Sequence, residues 1–319
     1  MNILVTGASG MFGKVLVKRL LKGNQVLGIS KSGNHQTTVC DLESTGHSTA
    51  PADVSQVRAC DLAKPEEVER LFQGNPFDLV IHTAAYTHVD GCELHPEIAY
   101  QSNALATKYL AANCGRRRVP LIMISTDYVF DGRKTAPYKE SDPTCPINVY
   151  GMTKLAGEYY TQRLACVSAV IRTSWLFGPD NPDNFVNAIA RRLQKEKTVS
   201  VLDDQEDSPT STEDLAKAVA EVGKFLTSFH NANPKKDFHE IFQFCNSGSV
   251  TRYDMTLKIK ECLRLKGVEV RRLDRQSIQN RVALRPRYSV MSTQHFQKTF
   301  KKPVRHWQAS LEAYLRERV

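Results

Sequence analysis

The chain has 319 residues, 41% of them hydrophobic and 24% charged, with 43 Lys and Arg against 34 Asp and Glu for a formal charge of +9. This is a globular composition, long enough to bury a large core in one or two domains, and no apolar run approaches the ~20 residues of a membrane helix. The basic excess lies late, at Arg271, Arg272, Arg275, Arg281, Arg285, Arg287, Lys298, Lys301, Lys302 and Arg305. No recognition motif or aromatic platform stands beside it, so nucleic acid is not an expected partner. The eight cysteines (40, 60, 92, 114, 145, 166, 245, 262) show no C-x-x-C pair or zinc spacing and read as reduced thiols. The first apolar run is too short for a signal peptide and lacks its basic start, so a cytoplasmic protein with no membrane partner is expected.

In chain order, strands are predicted at about 2–7, 25–30, 56–60, 78–85, 120–127 and 168–175, and helices at about 11–22, 65–73, 96–114 and 150–165. This alternation predicts an α/β fold with a doubly wound parallel sheet and helices on both faces. Residues 31–55 are polar and turn-rich and read as a loop with at most one short strand or helix. Cys-Asp-Leu occurs at 40–42 and 60–62, and only the second precedes a convincing helix. After residue 175 the alternation fades. A helix is expected from Asp214 to Phe229, a strand at Phe242–Cys245, a helix from Thr251 to Leu265 and a last helix from near Trp307.

The first strand runs directly into Gly7-Ala-Ser9-Gly10-Met11-Phe12-Gly13 and then a helix. Strand, glycine turn and helix N-terminus together make a phosphate cradle: Gly7 permits the turn, Gly10 lets a pyrophosphate approach, and Gly13 lets the helix pack closely. Further on, Ile124-Ser125-Thr126-Asp127-Tyr128-Val129-Phe130-Asp131-Gly132 precedes Tyr150-Gly-Met-Thr-Lys154. Tyr150 and Lys154 share one helix face. A phenol near pKa ~10 is a poor acid-base group at neutral pH. An ammonium ~4 Å away stabilises the phenolate by up to roughly 4 kcal/mol at an effective dielectric of ~20, and Thr126 supplies a second hydroxyl for a carbonyl oxygen. By itself, Tyr-x-x-x-Lys is also what a solvated helix face looks like.

These features together resemble the extended short-chain dehydrogenase/reductase family, and within it the dTDP-4-dehydrorhamnose reductase branch. Four further segments carry the resemblance: His82-Thr-Ala-Ala-Tyr-Thr-His-Val-Asp90, Arg172-Thr-Ser-Trp-Leu-Phe-Gly178, Val201-Leu-Asp-Asp-Gln-Glu-Asp-Ser-Pro-Thr210 and Arg285-Pro-Arg-Tyr-Ser289. The resemblance implies a nucleotide-binding domain over 1–175, with some later segments returning to its sheet, and a mainly substrate-binding domain over 176–319. It also implies reduction of a dTDP-linked 4-keto-6-deoxy sugar, most simply dTDP-4-dehydro-6-deoxy-L-mannose to dTDP-L-rhamnose. Tyr150 would be the proton donor, Thr126 would bond the same oxygen, and Lys154 would lower the phenol pKa and hold the nicotinamide ribose. The cofactor would meet Gly7, Ser9, Gly10, Met11, Phe12, Gly13, Asp61, Leu62, Ala84, Ala85, Tyr86 and Asn103. Because Ser30-Lys31 stands where NAD-preferring chains carry an acid, NADPH is expected, with NADH possible. The substrate would meet Thr126, Asp127, Tyr128, Val129, Trp175 and Asn184, with Arg285 or Arg287 as a diphosphate clamp. Lys14-Val15 after Gly13 brings no carboxylate, so no required metal is expected. The family suggests a homodimer.

Two rivals remain open. A nucleotide-sugar dehydratase or epimerase shares the fold, but a dehydratase normally places a glutamate where this chain has Tyr128. A non-catalytic subunit, similar to the regulatory beta subunit of methionine adenosyltransferase, binds NADP and retains much of Asp-Tyr-Val-Phe-Asp-Gly; against it stand Arg172-Thr-Ser-Trp and Asp204-Gln205 with Ser208-Pro-Thr210. A reductase of a related keto-deoxy sugar is also compatible.

Overall fold

A computed structural model describes residues 1–31, 57–273 and 281–317. The polar stretch expected as a loop lies outside these residues beyond Lys31, as do Cys40 and Arg275.

Among the described residues, seven strands form one parallel sheet. Six come from the first half: β1 (Asn2–Thr6), β2 (Gln25–Ser30), β3 (Val57–Ala59), β4 (Leu79–His82), β5 (Leu121–Thr126) and β6 (Val167–Thr173). The seventh, Phe238–Gln243, pairs in parallel with β6, so the sheet runs from that strand through β6, β5, β4, β1 and β2 to β3. The expected strand at 242–245 thus begins earlier and returns to the main sheet. β4 stops at His82 rather than 85, because Thr83 leaves the ladder to bond back to the Thr6 carbonyl through both its N–H (3.3 Å) and its hydroxyl (2.7 Å).

Both faces of the sheet are covered, which is why β5 and β6 are buried along their whole length. The helices Met11–Leu20 and Thr212–Ala232 cover one face; Val15, Leu16, Leu215, Val219 and Val222 pack there against Ile3, Val5, Ile81 and Ile122. The helices Pro65–Gln73 and Ala106–Arg117 cover the other, with Val68, Phe72, Leu110 and Ala111 against Leu4, Val80 and Leu121. A third cluster, built from Phe177, Val186, Ile189, Val199, Ile259, Trp307 and Leu311, belongs to the later half. No helix among the described residues is long and apolar enough to cross a membrane.

The helix expected over 96–114 runs Pro96–Tyr100, then a π turn at Gln101–Leu105, then Ala106–Arg117. Such a turn inserts one residue into the helical repeat and re-aims the side chains around it. Here it lies beside the helix Val149–Leu164.

Candidate functional site

The sheet order reverses between β1 and β4, and a cleft of about 820 Å³ opens there beyond the carboxyl ends of the strands. Its first wall is the glycine turn. A Cβ on Gly13 would lie 2.1 Å from the Gly7 carbonyl oxygen, so only glycine lets the helix start against the turn. Gly10 caps that helix without a side-chain bond, and the first turn holds no acid, so its N–H groups and positive dipole end are left for an anion. Gly7, Ser9, Gly10, Met11, Phe12 and Gly13 all line this wall, followed by Ser30, Lys31, Asp61, Leu62, Ala84, Ala85 and Tyr86. Ser30 is buried and its hydroxyl has no partner among the described residues. Lys31 is exposed and its Nζ stands 3.5 Å from Asp61. A dinucleotide fits these residues: the turn takes the pyrophosphate, and an orphaned hydroxyl beside an ammonium suits a ribose phosphate.

The opposite wall carries the candidate acid-base groups. Thr126 ends β5, is buried, and accepts from the Tyr128 N–H at 3.1 Å while donating to Asp127 Oδ1 at 3.0 Å. The helix Val149–Leu164 is capped by Asn148, whose side chain accepts from the Gly151 N–H. A Cβ on Gly151 would stand 2.1 Å from the Tyr128 carbonyl oxygen, so glycine is what lets this helix seat against the Thr126 turn. Tyr150 and Lys154 enter the cleft beside Thr126. The Tyr128 and Tyr150 rings meet edge to face at 5.8 Å.

Charge here does not follow the sequence expectation. Burial pushes the Tyr150 phenol well above its usual range; the Thr126 hydroxyl bond offsets part of this, and the Asp127 charge adds to it. Desolvation therefore sets the direction, and the downward pull expected of Lys154 is not among the main contributions. Lys154 donates to the Ile124 carbonyl at 2.7 Å, and burial lowers its pKa to about 8 against the opposing effect of Glu158.

Several expected contacts fall elsewhere. Asn103 is fully buried behind the cleft wall, where its amide brackets the Tyr86 backbone. Val129 packs in a core with Phe130, Tyr138 and Met291, because the short 3₁₀ turn Asp127–Val129 rotates it inward. Asn184 caps the helix Phe185–Lys195 and donates to the Gly178 carbonyl at 3.0 Å. Arg285 makes a two-pronged ion pair with Asp90 at 2.8 and 2.6 Å and holds that carboxyl down at about 2. Its charge is thus already committed within the chain. Arg287 is exposed and meets the later half through its carbonyl, which accepts from the Glu206 N–H. Asp127, Tyr128 and Trp175 do line the cleft. Trp175 stacks on Phe185 at 5.5 Å and holds φ +47, a rare backbone state for a large side chain that turns the ring into the site.

Two cleft-side groups escape sequence reasoning. Asp207 is buried in the cleft facing Asp127, and burial with that neighbouring charge raises it well above the usual carboxylate range. Asp127 itself is pushed up to about 6, chiefly by burial. Arg252 lies over the Trp175 and Phe185 rings at 4.8 and 5.0 Å. Only the Asp-Gln-Glu-Asp run at 204–207 marks the first in sequence; the second carries no motif.

Fold and site define a Rossmann-type extended short-chain dehydrogenase/reductase. The sequence profile of the RmlD substrate binding domain matches residues 1–319, and the chain belongs to that family. It is 33% identical to the dTDP-4-dehydrorhamnose reductase of Streptomyces griseus, over 97% of this chain and 91% of that protein. It is equally 33% identical to the dTDP-4-keto-6-deoxy-D-glucose reductase of Streptomyces niveus, over 97% and 94%. The crystal structure of the dTDP-4-dehydrorhamnose reductase of Bacillus anthracis in complex with NADP superimposes with a TM-score of 0.82 at 26% identity, covering 99% of each chain.

Proposed function

We propose that this chain reduces the 4-keto group of a dTDP-linked 6-deoxy sugar with NADPH, most simply dTDP-4-dehydro-6-deoxy-L-mannose to dTDP-L-rhamnose. The observation that carries this reading is the single cleft that brings Thr126, Tyr150 and Lys154 opposite the glycine turn. When bound, the nicotinamide supplies the hydride. The raised phenol pKa keeps Tyr150 in its protonated, donating form through the working pH range. As negative charge develops on the sugar O4, Tyr150 passes its proton to that oxygen, and Thr126 orients the phenol and the oxygen from the strand end. Lys154, fixed on the Ile124 carbonyl, supplies the positive charge that offsets the phenolate left behind. Trp175 forms the apolar side of the sugar site. Gly7, Ser9 to Gly13, Ser30, Lys31, Asp61, Leu62 and Ala84 to Tyr86 hold the cofactor, and Ser30 with Lys31 favours NADPH over NADH.

Relatives at the same identity are named for reductases of differing sugars, so the sugar is the finer part of the proposal. Steady-state rates with NADPH on dTDP-4-dehydro-6-deoxy-L-mannose and on dTDP-4-keto-6-deoxy-D-glucose test it. The first substrate is expected to show the higher kcat/KM. A clear preference for the second would replace the rhamnose product, and turnover of neither would remove the reductase reading.

A further inference from the structure

Behind the cleft runs a continuous line of buried polar side chains that takes no part in hydride or proton transfer. Thr6 ends β1 directly before Gly7, and His82 pairs beside it on β4. The Thr6 hydroxyl oxygen accepts from the Ala84 N–H at 3.2 Å and lies 2.7 Å from His82 Nδ1. On the other side of the ring, His82 Nε2 lies 3.0 Å from the Thr107 hydroxyl, which donates its hydrogen to the Asn103 carbonyl at 2.7 Å. Thr107 has one hydrogen and it is committed, so His82 Nε2 donates to Thr107 and Nδ1 accepts from Thr6. The Asn103 amide then accepts from the Tyr86 N–H at 2.7 Å and donates to the Tyr86 carbonyl and to Thr153 Oγ1, each at 3.1 Å. Thr153 in turn donates to the Tyr150 carbonyl at 3.0 Å.

Thr6, His82, Asn103 and Thr107 are wholly shielded from solvent, and Thr153 nearly so. Burial, with the neighbouring Lys154 charge, holds the His82 pKa down at about 3, so the ring keeps one proton and one tautomer across the working pH range. A fully satisfied buried network of this kind has a single low-energy arrangement.

We propose that His82 is a positioning residue: its neutral, Nε2-protonated ring ties the glycine-turn wall of the cofactor cleft to the helix that carries Tyr150 and Lys154. The ring itself touches no substrate and donates no proton to one. It fixes where Ala84 to Tyr86 stand relative to Gly7, and through Asn103 and Thr153 it fixes the start of the catalytic helix. Only the turnover arm of the following test rests on the reductase reading.

Thr107→Val keeps the side-chain shape but removes the hydroxyl in the middle of the line, and Thr107→Ser restores it. His82→Phe keeps a ring without nitrogens. NADPH affinity is measured by fluorescence titration, kcat and sugar KM by NADPH oxidation, and folding by circular dichroism melts. In folded Thr107→Val and His82→Phe, the NADPH Kd is expected to rise about fivefold and kcat to fall roughly tenfold, with the sugar KM held within about twofold, as expected for misplacement rather than lost contact. Thr107→Ser is expected to stay within about twofold of wild type on every measure. A purely structural role would lower the melting temperature of Thr107→Val and leave Kd and kcat in place, and that result overturns the proposal. So does a loss that Thr107→Ser fails to restore. If His82→Phe does not fold, the Thr107 pair decides. If the wild-type chain binds NADPH but turns over no keto sugar, the reductase reading fails by itself and the Kd comparison decides the role of His82.

Discussion

A single glycine helps to place the candidate acid-base groups. Gly151 follows Tyr150 and faces the Tyr128 carbonyl oxygen at a distance no Cβ can share. Gly151→Ala is expected to push the helix start off the Thr126 turn and to cost roughly 100-fold in kcat, since an ångström of misplacement suffices for that. The protein should remain folded, because the displaced contact lies at a helix end. Kinetics paired with a thermal melt check this, and unchanged kcat would mean that the Tyr150 position does not depend on this close approach. Local spacing alone does not single out Thr126, Tyr150 and Lys154, two of them one turn apart and the third at a strand end; the family resemblance does, and all three line one cleft. The direction of the Tyr150 shift is not legible, because it depends on burial and on neighbours as remote in sequence as Cys92. Arg285 shows the same limit. Its type suits a phosphate, but only the folded chain places it on Asp90, 195 positions away.

Elements are held to one another by a few buried polar contacts. Glu158 on the helix Val149–Leu164 receives Arg172 from β6 at 2.7 and 3.0 Å and the Ser125 hydroxyl from β5 at 2.5 Å. The Arg172 guanidinium also covers the Phe130 ring at 5.2 Å. Glu158→Gln leaves that cation buried without its counter-charge and is expected to destabilise the fold by about 3 to 5 kcal/mol. Denaturant titration measures the difference, and a loss below about 1 kcal/mol would show that water reaches the pair. The strands and helices of the first half are readable because parallel strands buried on both faces give continuous apolar runs, and the helices between them show the 3.6 period. The π turn at Gln101–Leu105 is invisible to periodicity, since it is stabilised by what Asn103 and Thr107 bond to rather than by local propensity. The short paired strands after residue 175, such as Leu176–Phe177 with Thr210–Ser211, are too brief to carry a pattern.

At the scale of the whole molecule, the two halves of the chain share one sheet. The strand Phe238–Gln243 covers the edge of β6, and the helix Thr212–Ala232 covers Ile81 and Ile122. A chain ending at residue 175 is therefore expected not to fold; a cooperative melt from that fragment would contradict this. The response of stability to pH has two parts of opposite sign. The His82 pKa falls from 6.5 to about 3 on folding, so its contribution is present above the unfolded value and is lost as pH falls through about 3. The Asp127 pKa rises from 3.8 to about 6, so its contribution is complete below 3.8 and is lost as pH rises through about 6. Asp207 is raised as well, and Asn mimics its protonated form. Asp207→Asn is therefore expected to gain a few degrees in Tm relative to wild type at pH 8, and little at pH 4. A Tm difference that does not grow with pH would mean that the two carboxyls do not share the cleft as described.

The measurement that bears most directly on the whole account is NADPH oxidation by the purified protein with dTDP-4-dehydro-6-deoxy-L-mannose, run beside Tyr150→Phe. Turnover by the wild-type chain is expected, with a fall of roughly 1,000-fold or more in the variant and NADPH binding retained. Equal rates in the two proteins would remove Tyr150 as the proton donor, and tight NADPH binding without turnover in either would contradict the reductase itself.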